Sequence, residues 1–307
     1  MATLIEIANK KNCDAQAANT GKKGCQIGFL TPLNPIAIRR GTVIPKDTEF
    51  NKAYLNGLIA ARTATPLVGA VTFEDQSSED GFNTLSSGVE RFNLAGLKKY
   101  MFTYQEGHEF YRELSKMTSF KRYDWIIFDE AGNMKIAVNS DGDYVGFSAG
   151  QVTAMLTKDK VQGGEDESKS LTVQFTNRKQ WNTDYAVITI DNLDFDVEED
   201  IQGVNSASFV YDTVPSAGTS LVATLLLDSD MNTVVGGIVD PARVLVTING
   251  VSEVASALVE GDSGKYTITT TTALVSADVV GLSLDGVYVS EESGMFASGE
   301  TFSSVIA

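Results

Sequence analysis

The densest cluster of side chains that could do chemistry is the acidic stretch DNLDFDVEED at residues 191–200. Six of its ten residues carry carboxylates, the groups that ligate Ca²⁺ or transfer protons in catalysis. An EF-hand loop that started at Asp194 would need glycine at its sixth position and glutamate at its twelfth. This sequence has Glu199 and Asn205 there. The stretch therefore does not predict a calcium site.

The same stretch alternates apolar and acidic residues with a period of two. Leu193, Phe195 and Val197 are separated by Asp194 and Asp196, an alternation typical of a strand with one buried and one solvated face. We expect it to be the edge or last strand of a first domain, leading into a linker. Its outward acids would also discourage pairing with the wrong chain.

A second candidate for cation binding is NSDGDY at residues 139–144. An EF-hand loop begun at Asn139 fails at the same two positions, which are occupied by Tyr144 and Gly150. The Asp141–Gly142 pair is instead typical of a tight β-hairpin turn. The sequence predicts a turn here rather than a metal site.

Groups for acid–base or nucleophilic catalysis do not form a complete set. The acid pairs Glu74–Asp75 and Glu79–Asp80 flank a short polar segment, a composition typical of a loop. His108 is the only histidine and opens a predicted helix, so a serine or cysteine nucleophile has no evident base. We expect no catalytic residues and predict that the protein is not an enzyme.

Cofactor and metal sites are not predicted either. Cys13 and Cys25 are the only cysteines, twelve residues apart, which fits no zinc-site spacing. Two reduced thiols are the simpler interpretation, and a disulfide stays open. The segment GKKG at 21–24 lacks the spacing of a phosphate-binding loop and is interpreted as flexible chain.

Nucleic-acid binding has weak support from two segments that mix basic and aromatic residues, KRYDW at 121–125 and RKQW at 178–181. The chain has 40 acidic against 24 basic residues and a formal net charge of −16, which opposes tight binding to phosphates. A tryptophan in such a segment is more typical of a core or a subunit interface.

The charge is unevenly distributed along the 307 residues. Residues 204–307 have twelve acids against two basic residues, whereas residues 1–52 have eight basic residues against four acids. Two explanations stay open: basic ends stack on acidic ends of other copies, or both regions are ordinary solvated surfaces.

The elements that would position these residues are mainly β. Residues 1–50 are rich in lysine, asparagine, glycine and alanine, with three prolines between residues 32 and 45, and we predict an extended N-terminal arm. Residues 51–203 contain short strand-like runs, an amphipathic helix at 108–117 and a hairpin at 123–138. This pattern predicts an antiparallel β-sandwich or barrel with one flanking helix.

The composition changes near Gly203, where we place a domain boundary. Residues 204–307 are rich in valine, threonine and serine, and short β segments alternate with turns such as Asn249–Gly250 and Asp285–Gly286. This is the signature of a small β-sandwich, and we predict an immunoglobulin-like domain.

The central segment resembles structural proteins of tailed bacteriophages. The resemblance lies in the texture of FEDQSSEDGFNTLSSGVERF, YDWIIFDEAGNMKIAV, SAGQVTAML and SLTVQFTNRKQWNTDYAVI, which closes on LDFDVEEDIQGV. The layout is most similar to a tail tube, or major tail, protein with a C-terminal immunoglobulin-like domain. The resemblance covers about residues 50–203 by texture and 204–307 by architecture alone.

The resemblance implies a virion subunit that is assembled in the host cytoplasm and works by self-association. Its copies would form rings of six, and the rings would stack into a tube through which DNA passes without sticking to an acidic lumen. The arm at 1–50 and the loop at 161–170 would contact the next ring, the sandwich would face outward, and other tail proteins would bind the tube. No signal peptide or membrane span is predicted.

A different class of function stays open. A capsid or tail decoration protein, or a neck or baseplate component, could share both domains and use the immunoglobulin-like one to bind a surface. The few aromatic residues of 204–307 are spaced as core residues would be, which favours the tube. A pilus or adhesin subunit is less favoured because no leader is visible, and an enzyme is least favoured.

Overall fold

The chain divides into two units, Met1–Ile201 and Gln202–Ala307, next to the boundary placed at Gly203. The computed structural model describes residues 3–9, 29–84, 86–87, 90–94, 96–155, 167–213, 215–229, 231–261, 264–290 and 294–305. The protein is mainly β, with 48% of residues in strands and 15% in helices. The predicted fold class is confirmed: the sheets are antiparallel except for one parallel pair, Val204–Tyr211 with Gly294–Ser298, and one sheet curls into a half-barrel.

The first unit contains short helices around a large sheet. Its helices are α1 (Leu4–Asn9), α2 (Lys52–Ala60), α3 (His108–Lys116), α4 (Arg178–Asn182) and α5 (Val197–Asp200), with a short 3₁₀ helix at Ile190–Asn192. Its strands are β1 (Pro32–Arg39), β2 (Val43–Ile44), β3 (Ala64–Pro66), β4 (Thr72–Asp75), β5 (Gly81–Thr84), β6 (Glu90–Leu94), β7 (Lys99–Tyr104), β8 (Ser119–Phe120), β9 (Tyr123–Asp129), β10 (Met134–Val138), β11 (Tyr144–Val145), β12 (Phe147–Ala154), β13 (Lys169–Phe175) and β14 (Tyr185–Ile188).

The second unit consists of strands and a short 3₁₀ helix at Pro241–Arg243. Its strands are β15 (Val204–Tyr211), β16 (Gly218–Leu227), β17 (Val244–Ile248), β18 (Val251–Val254), β19 (Ala257–Glu260), β20 (Lys265–Leu274), β21 (Val279–Leu284), β22 (Val287–Ser290), β23 (Gly294–Ser298) and β24 (Thr301–Ser304).

The main sheet of the first unit has the strand order β2-β11-β10-β9-β12-β13-β7-β4, and β1, β3, β8 and β14 pair with it off this path. The predicted hairpin is confirmed, because β9 and β10 are antiparallel neighbours with Met134 opposite Phe128. Strand β9 has a central run of apolar and aromatic residues between two aspartates, and all but its first residue are buried. Large rings fill the core on one side of the sheet, among them those of Trp125, Phe102 and Phe147.

The predicted N-terminal arm is replaced by sheet over part of its length. Strand β1 pairs with β9 at seven positions, and Ile36, Ala37 and Ile38 are fully buried. Proline is unfavourable inside a sheet because it has no N–H to donate. Pro35 accepts a hydrogen bond from Leu67, so its backbone polar groups point away from β9 and its missing N–H costs no bond to that strand. The prediction of irregular chain is therefore wrong for residues 32–39.

The first residues of the predicted arm also pack on this unit. Helix α1 buries Leu4 and Ile7, and the N–H groups of Leu4 and Ile5 donate to the carbonyls of Thr48 and Lys46. The expected arm contacts at residues 10–28, including both cysteines and the GKKG segment, lie outside the described residues. So do residues 161–166 of the expected inter-ring loop.

The helix predicted at 108–117 is confirmed as α3. It buries Tyr111 and Leu114, and its other face carries exposed charged residues. Helix α2 lies where only short strands were expected. Asn51 caps it by accepting a hydrogen bond from the Tyr54 N–H at 2.8 Å, and Leu55 and Ile59, one turn apart, are buried.

Strands β6 and β7 follow each other in the chain but do not pair. Strand β6 pairs with β5 in a separate sheet. Strand β7 instead lies between β13 and β4. Its buried residues Tyr100, Phe102 and Tyr104 alternate along the strand, which directs one face to the core.

The second unit is a sandwich of two sheets, as predicted. One sheet has the order β19-β20-β16-β15-β23-β22 and the other β18-β17-β21-β24. Their facing sides bury a core that includes Phe209, Tyr266 and Leu282. The turn between β17 and β18 has positive φ at Asn249 and Gly250, the conformation that a two-residue type I′ hairpin requires.

Candidate functional site

The acidic stretch at 191–200 is not a strand, so that prediction is wrong. It forms the 3₁₀ helix, a bend and helix α5. Asp196 is the N-cap of α5, and its Oδ1 accepts hydrogen bonds from the N–H groups of Glu198 and Glu199 at 2.8 and 3.4 Å. Aspartate at an N-cap satisfies N–H groups that have no partner within the helix, which is the local reason for a helix here.

Two further acids of this stretch hold helix α2 in place. Asp194 accepts a hydrogen bond from the Lys52 backbone N–H at 3.1 Å, and Asp200 accepts one from the Lys52 side chain at 2.8 Å. The hydrogen bond from Lys52 and a second from the Asp196 N–H lower the pKa of Asp200. Phe195 and Val197 are buried beneath them. Asp194, Asp196 and Asp200 therefore act as caps and tethers of helices.

The turn predicted at 139–144 is confirmed. Strands β10 and β11 pair through Val138 and Tyr144, and the side-chain oxygen of Asn139 accepts hydrogen bonds from the N–H groups of Asp141 and Asp143, both at 2.9 Å. Asp143 in turn accepts one from the Lys46 N–H. Across the described residues, no group of three or more histidine, cysteine or acidic side chains is arranged to hold a metal ion.

One member of each acid pair near residue 75 forms an ion pair. Glu74 and Asp75 lie in β4 instead of a loop, and Asp75 accepts a hydrogen bond from Lys98 at 3.1 Å. Asp80 accepts hydrogen bonds from the Gly96 N–H at 2.8 Å and from Arg178 at 2.6 Å. The bond from Gly96, followed by that from Arg178, lowers the pKa of Asp80.

His108 begins helix α3 and is largely exposed. Its Nδ1 lies 3.4 Å from Oε1 of Glu167. This is the position expected of a surface histidine at a helix start, and no nucleophile within the described hydrogen bonds contacts it.

The two basic and aromatic segments do not present open stacking platforms. In 121–125, the Trp125 side chain is fully buried. In 178–181, Trp181 is only 8% exposed and stacks on Phe147 with ring centroids 4.1 Å apart. Bases stack on exposed rings, so both tryptophans serve the core.

Helix α4 nevertheless borders a pocket of the first unit. Asn177 caps the helix by accepting a hydrogen bond from the Lys179 N–H. The pocket has a volume of about 150 Å³ and has both polar and aromatic walls, which include Ser78, Asp80, Lys98, Asn177, Arg178 and Trp181. The indole N–H of Trp181 is buried and has no acceptor among the described residues.

On the ring side of Trp181 lies a lysine enclosed by aromatic rings. The Nζ of Lys135 is 4.4 Å from the ring centroid of Tyr185, 4.9 Å from that of Trp181 and 5.6 Å from that of Phe29. Burial lowers the pKa of Lys135, and the positive charge of Lys98 lowers it further. Rings stabilise an ammonium through their negative faces.

We call Lys98, Lys135, Arg178 and Trp181 the α4 basic site. Three of its members are cationic, and Lys98 and Arg178 are paired with the carboxylates of Asp75 and Asp80. Such an arrangement can accept an anion, most directly a carboxylate. Sequence reasoning found Arg178 and Trp181 through the RKQW segment. It missed Lys135 because a single lysine in a strand resembles any solvent-facing position.

Two buried carboxylates were also missed. Asp129 has no exposed surface, and it accepts four hydrogen bonds, including those from the N–H groups of Leu30, Ala131 and Asn133. Asp124 is 5% exposed and accepts one from the Gly41 N–H at 3.1 Å. Burial raises the pKa of Asp124. Each of these two aspartates anchors a turn. Their sequence neighbours, in DE and YD, do not indicate this role.

Among the helices of the described residues, none combines the length and the hydropathy needed to span a bilayer. Comparison of the chain with protein-family models gave no match, and comparison with curated protein sequences gave none either.

Proposed function

We propose that this chain is a structural subunit that assembles with copies of itself, and that the assembly is the tail tube of a tailed bacteriophage. The resemblance of layout supports the tail tube. The physical support is independent of it and lies in the shape of the main sheet.

The observation that carries the proposal is a curled half-barrel with open ends. Among the described residues, β2 pairs only with β11, and β4 pairs only with β7. Three of the four residues of β4, namely Thr72, Glu74 and Asp75, are exposed. An unpaired strand edge offers N–H and C=O groups to another chain, and closure of a barrel removes such edges.

Copies that join edge to edge around an axis would pair the strand edges that are open in a single half-barrel. The ring that results would enclose a channel, and stacked rings would form a tube. A subunit with a formal charge of −16 repels DNA phosphates, so DNA would pass along the channel without binding. The immunoglobulin-like unit has its own core, so it can decorate the assembly without being part of the sheet.

The first experiment is negative-stain microscopy and sedimentation velocity of the purified protein over a range of concentrations. Rings or hollow tubes are expected. Monomers alone at every concentration, including after addition of preformed tube ends, would refute the proposal. Discrete small oligomers that bind cell surfaces would favour the decoration protein instead.

The β4 edge allows a sharper test with a matched control. The N–H groups of Gln76 and Ser78 donate to the carbonyls of Lys99 and Leu97 on the inner side. Because successive residues of a strand direct their N–H groups to opposite sides, the N–H of Asp75 points outward. Asp75→Pro removes that N–H at an edge, where proline is tolerated.

The control is Asp75→Ala, which also loses the carboxylate paired with Lys98 but keeps the N–H. We expect Asp75→Pro to fold and to lose assembly, and Asp75→Ala to assemble. Equal assembly of the two variants would show that the β4 edge is not the contact.

A further inference from the structure

The ammonium group of Lys135 has no anionic or hydrogen-bonding partner within the described part of the chain. Its strand β10 pairs on both sides, with β9 and with β14, so the lysine is held inside a sheet and not on a loose edge. Its ammonium lies 4.4 to 5.6 Å from three ring centroids. No carboxylate or hydrogen-bond acceptor contacts it among the described residues.

Lys135 is half-buried in the monomer. Partly removing an ammonium from water without giving it an anion is unfavourable, and native proteins pair or hydrogen-bond their buried charges. The three rings offset part of that cost, but they cannot accept its N–H donors as a carboxylate oxygen would. A methionine would pack on the same rings without the charge.

The surroundings of Lys135 make it a receptor for a negative group. Lys98 adds positive charge that acts on Lys135, and Lys98 itself is paired with Asp75 at 3.1 Å. Asp75 is therefore engaged elsewhere. An incoming carboxylate would meet two ammonium groups and a flat aromatic wall.

We propose that a carboxylate side chain of a second copy of this chain pairs with Lys135 when copies assemble, an inference that rests on the proposed function. Charge complementarity favours a second copy as the source. Each copy carries 40 acidic residues against 24 basic ones. Exposed carboxylates such as Glu198 and Glu199 on α5 make no ion pair or side-chain hydrogen bond among the described residues. They can therefore pair with a cation of another copy.

The test compares Lys135→Met with the wild-type protein, in full-length chains. Two measurements are made: the dissociation constant of assembly by sedimentation velocity, and the melting temperature of the dilute monomer. Lys135→Met should raise the melting temperature, because the substitution removes an unpaired, half-buried charge. The same change should weaken assembly by about ten- to a hundredfold, because the partner carboxylate is then buried without a cation.

Lys116→Met is the matched control. It removes the same charge from an exposed lysine on α3 whose partner is Glu113 on the same helix, so it should change neither quantity. The opposite signs of the two effects at Lys135 are the signature of the proposal, because a purely structural lysine would lose stability and assembly together.

Three outcomes would overturn it. Wild-type protein that never assembles refutes the proposed function and this inference with it. Wild-type and Lys135→Met proteins that assemble equally refute the inference alone. A wild-type melting temperature that rises with added acetate, with assembly unchanged by Lys135→Met, would assign the site to a free carboxylate ion and not to a subunit contact.

Discussion

Asp129 gives the most stringent test of the fold of the first unit, because one side chain holds three segments together. Its Oδ1 accepts the N–H groups of Ala131 and Asn133 at 3.0 and 2.8 Å, and its Oδ2 accepts the Leu30 N–H at 2.8 Å and the Asn133 side-chain amide at 2.9 Å. The carboxylate therefore closes the turn between β9 and β10. It also fixes the chain that leads into β1.

The magnitude follows from what Asp129→Ala would leave behind. A hydrogen bond to a charged group contributes about 1.5–3 kcal/mol, and a buried donor left without a partner costs about 1–3 kcal/mol. The four bonds share one acceptor group and do not add, and water can enter at the turn. We expect a loss of about 3–5 kcal/mol, which is a large part of the 5–15 kcal/mol typical of a domain.

Asp129→Asn should give an intermediate result. The amide keeps one oxygen for the N–H groups of Ala131 and Asn133, but its NH₂ group then faces the Leu30 N–H, so two donors oppose each other. We expect a loss of about 2 kcal/mol. Asp141→Ala is the control, since Asp141 is an exposed acid of the neighbouring turn, and surface changes of this kind usually fall within about 0.5 kcal/mol.

The assay is urea unfolding followed by tryptophan fluorescence. The chain has two tryptophans, Trp125 and Trp181, and both lie in the first unit. The signal therefore reports this unit alone, even if the two units unfold separately. A loss for Asp129→Ala within 1 kcal/mol of that for Asp141→Ala, with unchanged slope, would refute the assignment of Asp129 as the anchor.

Two further predictions concern single groups. Tyr211 donates a hydrogen bond from its hydroxyl to the Val280 carbonyl at 2.9 Å, so Tyr211→Phe should destabilise the second unit by about 1 kcal/mol. Far-UV circular dichroism should show this with the tryptophan transition unchanged, and a shift in that transition would contradict it. The pKa of Lys135 is lowered in the folded state. Between this lowered pKa and the ordinary pKa of lysine, the unfolded chain therefore binds more protons than the folded chain, and the stability of the wild-type protein rises with pH. The stability advantage of Lys135→Met over wild type should therefore shrink as pH rises toward about 10.5, and a gap that is constant with pH would exclude this role of the charge.

Sequence reasoning succeeded where the signal is local. The run from Tyr123 to Val138 contains two apolar strands and a glycine-bearing turn, and nothing distant is needed to pair them. Helix α3 has apolar residues at helical spacing and charges elsewhere. The alternating short strands beyond Gly203 likewise needed only their own pattern to predict a sandwich.

It failed where a residue's role depends on a distant partner. Asp194 caps helix α2 through Lys52, which is far away in the sequence, so the period of two was mistaken for a strand. Strand β1 contains prolines that argue against a central position, and only the direction of the Pro35 carbonyl explains why they are tolerated. The α4 basic site combines residues from three separate segments, so no spacing of residues within one segment predicts it.

The two contacts proposed for assembly respond to salt in opposite directions. The β4 edge carries Glu74 and Asp75, and the overall charge is −16, so copies that approach along this edge repel each other. Salt screens that repulsion and should strengthen edge pairing. The pairing of Lys135 with a carboxylate is an attraction, which salt weakens less the more completely it is buried. When Lys135 is removed, the repulsion between the acidic edges is the only one of these two electrostatic contributions that remains. Assembly of Lys135→Met should therefore gain more from added salt than assembly of the wild-type protein does, and an equal gain in both would mean that the Lys135 contact contributes nothing to association.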